Sequence, residues 1–159
     1  MIFDLKSPAF NNNERIPKKY TGAGEDTSPA LAWTHAPTGT KSFALLMDDP
    51  DAPAGTWTHW VLYDIPASLT SLPEGLPKKE ALPNGAKHGV CGSVKDEECH
   101  NVGYCGPLPP PGKPHHYIFR LYALDQPLGL SPKAAKNGVL KAMKGHILAE
   151  ARLTGIYER

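Results

Sequence analysis

The segment that most constrains the fold is residues 115–124, where apolar and polar side chains alternate. Tyr117, Phe119 and Leu121 share one face at a spacing of two, which is the repeat of a β-strand. His115 has the same parity as these three residues. The segment therefore predicts a strand that carries a histidine on its apolar face.

Two earlier runs, 41–48 and 60–65, also predict strands. The first run ends at Asp49, just before a proline. The second is apolar and aromatic until Pro66 stops it, and about ten residues separate the two runs, so we expect neighbouring strands. The residues that share one face of the first run are Phe43, Leu45 and Met47.

The C-terminal part of the chain predicts one short helix and then a closing strand. Ser131 has the form of a helix N-cap, and Pro132 fits the first helical position. Apolar residues recur at helical spacing at Val139, Leu140, Met143 and Ile147. After Gly145 the alternation returns, and the residues on one face are Ile147, Ala149, Ala151 and Leu153. A strand is expected from there almost to the C-terminus.

The 17 prolines and 15 glycines are spread along the chain, which suits many short strands separated by turns. Between residues 66 and 103 there is little periodicity, so we expect long surface loops with at most one short element, either functional or a covering flap. The prediction is an all-β chain, a β-sandwich with one short helix, forming a single domain over residues 1–159.

The charge is nearly balanced, with 17 Lys and Arg against 16 Asp and Glu. A chain without a strong field is not expected to bind nucleic acid as its main partner. No apolar stretch approaches the roughly 20 residues of a membrane span, and the N-terminus does not resemble a signal peptide. We therefore expect a cytoplasmic protein without stable membrane insertion.

Three cysteines, Cys91, Cys99 and Cys105, lie within fifteen residues of one another. Their spacing matches neither the Cys-x-x-Cys pairs of zinc sites nor an even-numbered disulfide framework. Free thiols in a reducing compartment are expected. The sequence also allows a disulfide between two of the three, because the segment is predicted to be a loop.

Two positions carry groups suited to ligand binding. Asp49 starts the segment Asp-Pro-Asp-Ala-Pro, a rigid turn that holds a carboxylate at the end of a strand, although a solvent-exposed acidic turn fits equally well. His59 lies between Trp57 and Trp60, at the start of the next strand. If the two strands pair, Asp49 and His59 approach each other. A buried, hydrogen-bonded core histidine is the alternative.

Three motifs resemble, in order and spacing, the signature of the phosphatidylethanolamine-binding protein family. They are Asp49-Pro-Asp-Ala-Pro53, then Trp57-x-His59-Trp60, then Tyr104-x-Gly106-Pro107-x-Pro109-Pro110 leading to His115-x-Tyr117. Shorter matches run from Ser7-Pro-Ala-Phe10 to Val61-Leu-Tyr-Asp-Ile-Pro66, so the resemblance extends along the chain. The length and the Gly55-Thr-Trp57 turn are similar to the short bacterial branch, often described as Raf kinase inhibitor-like.

The resemblance implies a β-sandwich with a pocket for phosphate-type anions, such as a phosphoethanolamine-like phospholipid head group or a phosphorylated protein segment. No catalytic residue, cofactor or metal is implied, although one Asp with two His is also a metal-ligand or acid–base set. The alternative is a regulatory protein that modulates a partner kinase or protease through the pocket rim, and a homodimer fits the bacterial branch. The implied ligand-binding residues are Asp49, His59, His115, Tyr117, Gly106, Pro107, Trp57 and Tyr104.

One departure from the family pattern is His116, which stands where the family usually has arginine. Histidine lacks the permanent, forked charge of arginine, so anion affinity is weaker or more pH-dependent if this residue supports the rim. By strand parity, however, His116 faces away from Tyr117, and the change is then merely structural.

Overall fold

The computed structural model describes residues 2–92 and 101–159, which form nine β-strands, one α-helix and a short 3-10 helix at Lys18–Tyr20. The strands and helix are β1 (Asp4–Lys6), β2 (Glu14–Arg15), β3 (Leu31–Thr34), β4 (Ser42–Asp49), β5 (Trp57–Pro66), β6 (Ser71–Leu72), β7 (Lys87–His88), β8 (His115–Leu124), α1 (Lys136–Met143) and β9 (Ile147–Tyr157).

The strands form a six-stranded sheet of order β2-β9-β8-β4-β5-β7 and a three-stranded sheet of order β1-β3-β6. In the large sheet β4 runs antiparallel to both of its neighbours, β5 and β8. It is covered on both faces, which explains why all eight of its residues are buried.

The small sheet packs on one face of the large sheet and encloses the main core. The rings of Phe3 and Trp33 meet Phe43 of β4, with centroids 6.1 Å and 5.3 Å apart. On the other face of the large sheet, α1 buries Val139 and Met143 in a second cluster. The predicted β-sandwich with one short helix is confirmed.

The predicted strands at 41–48, at 115–124 and after Gly145 are confirmed as β4, β8 and β9. The strand predicted at 60–65 is longer than expected. It starts at Trp57 and includes Pro66. The loop-rich region after Pro66 contains two strands of two residues each, β6 and β7, where at most one element was expected. Strands β1 to β3 were not predicted.

The predicted start of the helix is wrong. The helix begins at Lys136 after Ala135, which provides no side-chain cap. The Ser131 carbonyl accepts a hydrogen bond from the Tyr63 hydroxyl at 2.6 Å, and Lys133 has a φ of 72°, so the chain cannot be helical from Ser131 onwards. Ile147, which was expected on the helix as well, lies in β9.

Cys99 lies outside the described residues, whereas Cys91 and Cys105 are not joined to each other by a disulfide. In residues 2–92 and 101–159 no helix has the length and apolar character needed to cross a bilayer.

Candidate functional site

The site lies at one end of the large sheet. Because β4 is antiparallel to β5 and β8, its last residues meet the first residues of both neighbours. Asp49 pairs with Trp57 in the register, and Asp48 pairs with Ile118. Sequence positions that are far apart therefore surround one cavity.

This cavity has a volume of about 340 Å³. Its polar wall consists of Asp49, His59, Asn101, Cys105, His115 and Tyr117. Its remaining wall and rim are formed by Ala52, Pro53, Trp57, Gly106, Leu108, Pro109 and Pro110. The volume lies at the lower end of the range for small-molecule pockets, about 300 to 1,000 Å³.

Asp49 and His115 form a buried pair in this wall. The Asp49 Oδ2 atom accepts a hydrogen bond from His115 Nδ1 at 2.7 Å, and Oδ1 accepts one from the Asp51 amide at 2.8 Å. Both carboxylate oxygens are therefore engaged by the protein itself. Since Nδ1 of His115 carries the proton shared with Asp49, Nε2 is the ring nitrogen left for a ligand.

His59 is held in a similar way by a backbone group. Its Nδ1 donates to the Cys105 carbonyl at 2.7 Å, so Nε2 carries the lone pair in the neutral ring. Burial lowers the pKa of His59, partly offset by the Cys105 carbonyl and by Asp49. The ring packs against Trp57 and Tyr117, with centroid distances of 4.4 Å and 5.2 Å.

Tyr117 contributes a hydroxyl donor to the wall. Burial raises the pKa of Tyr117, and the adjacent Asp49 carboxylate raises it further, so the phenol stays protonated at neutral pH. No lysine or arginine of the described chain lines the cavity. The ionisable groups of the wall are thus one carboxylate, two imidazoles, a phenol and the Cys105 thiol, without a permanent positive charge.

Gly106 fixes the rim through a close backbone approach. Its amide donates to Asp26 Oδ1 at 2.6 Å, and Asp26 is also paired with Lys78 at 2.7 Å. A Cβ atom at position 106 would lie 2.6 Å from the Tyr20 carbonyl oxygen, which is closer than real Cβ contacts. Glycine is therefore required by the lack of space.

Of the eight residues expected to bind ligand, six line the cavity and two lie behind it. Tyr104 is buried, and its hydroxyl donates to the Tyr20 carbonyl at 2.6 Å. The Pro107 carbonyl accepts from the Gly22 amide at 2.9 Å. Both residues therefore hold the rim loop in place and are not part of the wall.

His116 is exposed on the other side of β8, as strand parity predicts. Its amide and its Nδ1 both contact Asp51 Oδ2 at 2.8 Å. This residue is not part of the cavity wall, so it bears on the site only through the turn that contains Asp51.

Sequence reasoning missed Cys105, Leu108 and the role of Asp26. Position alone could have indicated Cys105 and Leu108, since both flank the Gly106-Pro107 segment, whereas nothing local indicates that Asp26 reaches Gly106 eighty residues away. In residues 2–92 and 101–159, no group of three His, Cys, Asp or Glu side chains is arranged to hold a metal ion.

A two-sheet β fold with a small cavity at the strand ends is typical of binding-type proteins. The sequence model of the phosphatidylethanolamine-binding protein family matches residues 6–158. The chain belongs to this family.

The similarity extends over whole proteins. A UPF0098 protein from the archaeon Methanothermobacter thermautotrophicus is 49% identical over 156 residues, covering 98% of this chain and 99% of that protein. The crystal structure of Escherichia coli YbcL, described as a member of the mammalian family, has a TM-score of 0.88 at 33% identity and covers 99% and 98% of the two chains.

A Chlamydia trachomatis homologue of the family has a TM-score of 0.84 at 36% identity, over 99% of this chain and 97% of its own. The fold inferred from the motifs is therefore shared with solved bacterial structures, and sequence relatives occur in archaea and bacteria.

Proposed function

We propose that the protein binds a small phosphate-type ligand, phosphoethanolamine or a chemically similar head group, in this cavity without catalysing a reaction. The observation that carries the proposal is the convergence of Asp49, His59, His115 and Tyr117 on one cavity of about 340 Å³. Tyr117 and protonated imidazoles are donors to phosphate oxygens. Family membership supports a binding role in general.

The electrostatics of the wall restrict the ligand further. A dianionic phosphate would face the Asp49 carboxylate without any lysine or arginine of the described wall to balance it. Binding is more favourable if the ligand carries an ammonium group or a proton, or if an imidazole takes up a proton. A zwitterion such as phosphoethanolamine satisfies this condition.

Calorimetric titration with phosphoethanolamine, ethanolamine, inorganic phosphate and methyl sulfate tests the proposal. We expect phosphoethanolamine to bind most tightly and its affinity to rise as the pH falls from about 8.5 to about 5.5, because burial lowers the pKa of His59 in the free protein and a bound anion favours the protonated ring. Methyl sulfate has no titrating proton here, so its pH dependence reports the protein groups alone. Absence of binding by all four compounds at millimolar concentration would refute the proposal.

A second candidate function is regulation of a kinase or protease through the rim. It is supported by Leu108, an apolar rim residue that is 51% exposed beside the cavity. A pull-down with Asp49→Ala, His59→Ala and Leu108→Ser separates the two modes. If capture of a partner survives Asp49→Ala and His59→Ala but is lost with Leu108→Ser, the partner binds the rim. If capture is lost with Asp49→Ala and His59→Ala but survives Leu108→Ser, a phosphorylated segment binds in the cavity.

A further inference from the structure

Two cysteines lie close together at the wall of the cavity, Cys105 in the wall and Cys91 behind it. The Cys105 amide donates to the His59 carbonyl at 2.9 Å, and the Cys91 Sγ atom lies 3.2 Å from that same oxygen. Cys91 Sγ is also 3.0 Å from the Gly103 carbonyl oxygen. Because the Cys105 amide and the Cys91 Sγ atom contact the same carbonyl oxygen, the two cysteines are neighbours, and the Cys91 side chain also acts on the pKa of Cys105.

The two sulfurs differ in accessibility. Cys105 is half-buried and lines the cavity, whereas Cys91 is buried behind it with 3% of its surface exposed. A small reagent that enters the cavity therefore meets Cys105 first. Cys91 is then placed to react with whatever group is attached to Cys105.

The surroundings also favour Cys105 as the attacking group. The hydrogen bond from Cys91 lowers the pKa of the Cys105 thiol, and this effect exceeds the opposing effect of burial. The Cys91 Sγ atom also contacts the His59 and Gly103 carbonyl oxygens, at 3.2 Å and 3.0 Å. A lower pKa increases the fraction of thiolate, which is the reactive form.

We propose that Cys105 and Cys91 form a redox-active dithiol in the cavity wall, and that small aliphatic disulfides are the class of oxidant that modifies it. The Cys105 thiolate attacks one sulfur of the disulfide R–S–S–R, forming a mixed disulfide and releasing R–S⁻. Cys91 then loses its proton and attacks Cys105 Sγ, forming the Cys91–Cys105 bond and releasing a second R–S⁻. Two electrons pass from the protein to the reagent, which leaves as two thiols.

The modification also bears on the proposed ligand site. The Cys105 carbonyl holds Nδ1 of His59, and Cys91 Sγ lies against the His59 carbonyl. Closing the bond moves both sulfurs, so it changes the position of the His59 ring and the shape of the wall. This second part rests on the proposed function, whereas the dithiol chemistry does not.

The experiment uses the folded protein in a Cys99→Ser background and cystamine as the probe. After quenching with N-ethylmaleimide, peptide mapping should identify a Cys91–Cys105 cross-link. Cys91→Ser should stop at the mixed disulfide on Cys105, and Cys105→Ser should give neither product. A Cys105 that stays reduced in the folded protein, while the urea-unfolded chain reacts, would overturn the proposal.

Labelling of the unsubstituted protein covers the case in which a variant fails to fold. Iodoacetamide should alkylate Cys105 at least about tenfold faster than Cys91, since rates follow thiolate fraction and access. Equal rates, or faster labelling of Cys91, would contradict the assignment.

Titration with phosphoethanolamine before and after cross-linking then separates the two proposals. We expect a change in affinity of about tenfold, as for the loss of one positioned hydrogen bond to a charged ligand. Cross-linking without a change in affinity overturns the link to the cavity. Cross-linking in a protein that never binds phosphoethanolamine refutes the proposed function and supports the dithiol.

Discussion

The carboxylates of Asp48 and Asp49 lie on opposite faces of the large sheet, although the two residues are consecutive in β4. Asp49 contacts His115 in the cavity wall at 2.7 Å. Asp48 contacts Lys136 of α1 at 2.7 Å and the Thr58 hydroxyl at 2.8 Å. The end of β4 therefore joins the candidate site to the helix that covers the other face of the sheet.

Replacing Asp49 by asparagine should weaken phosphoethanolamine binding while the protein stays folded. The change keeps the size of the side chain but removes the charge that holds His115 Nδ1, and a hydrogen bond to a charged group contributes about 1.5 to 3 kcal/mol. We expect about tenfold or larger loss of affinity by calorimetry. Asp51→Asn is the matched control, because Asp51 contacts the exposed His116. Equal losses in the two variants would show that the effect is not specific to the cavity.

Lys136→Met should destabilise the protein and leave the cavity intact. It removes the nearest cation from the buried Asp48 carboxylate, although Arg120 at 3.5 Å and the Thr58 hydroxyl remain. Because those partners remain, we expect a loss of about 1 to 2 kcal/mol in the free energy of unfolding, less than for a fully orphaned buried charge. Urea unfolding measures this loss. Lys141→Met, at an exposed position of the same helix, should change the free energy of unfolding little.

The stability of the protein should decrease as the pH falls from about 7.5 to about 5. Burial lowers the pKa of both His59 and His88 in the folded state, so the unfolded chain binds more protons below its own histidine pKa of about 6.5. The free energy of unfolding therefore rises with pH in this window. In neutral His88, Nδ1 donates to the Lys79 carbonyl at 2.7 Å and Nε2 accepts from Trp60 at 3.0 Å.

Urea unfolding at several pH values measures this slope, and His88→Gln should reduce it. Carboxylates titrate mainly below the window and do not obscure the result. A slope that is flat or of opposite sign in the parent protein would contradict the burial of these two imidazoles.

Two glycine-to-alanine changes should have opposite effects. In Gly106→Ala the added carbon meets the Tyr20 carbonyl at 2.6 Å, so the rim must shift, and overpacking of this kind costs about 1 to 3 kcal/mol. In Gly138→Ala the added carbon meets no atom within 4 Å on an exposed position of α1, and alanine favours helix by about 0.5 to 1 kcal/mol. Thermal unfolding of the parent protein and of both variants measures these changes in stability. A stable Gly106→Ala protein with unchanged ligand affinity would argue against the tight rim.

The long strands could be predicted because their periodicity is strong. Alternate residues are buried along the ten residues of β8, and from Ala151 onwards in β9, so the same signal repeats several times in each strand. Strands such as β2 have only two residues, which is too few for a period to show. The helix start was wrongly predicted at Ser131, because a local capping pattern does not show that Lys133, two residues later, has a left-handed backbone conformation.

The convergence of Asp49 and His59 was predictable once adjacent strands were assumed. Which ring nitrogen of His59 carries the proton was not predictable, because this depends on the Cys105 carbonyl, 46 residues away. The same holds for the contact of Cys91 with Cys105, which requires the chain path between β7 and β8. Local sequence thus predicts which groups are present, and long-range contacts determine which atoms they present to a ligand.

The cavity is built from the ends of strands and from the loops that connect them. Asp49, His59, His115 and Tyr117 have positions set by the sheet register, whereas Leu108 and its neighbours belong to the segment between Gly106 and β8. Under the proposed function, the strands set the charge that a bound compound must carry, and the loop sets the shape that it can have. Chimeras that exchange this segment between relatives should therefore alter which shapes are accepted while every variant keeps the same ionic preference.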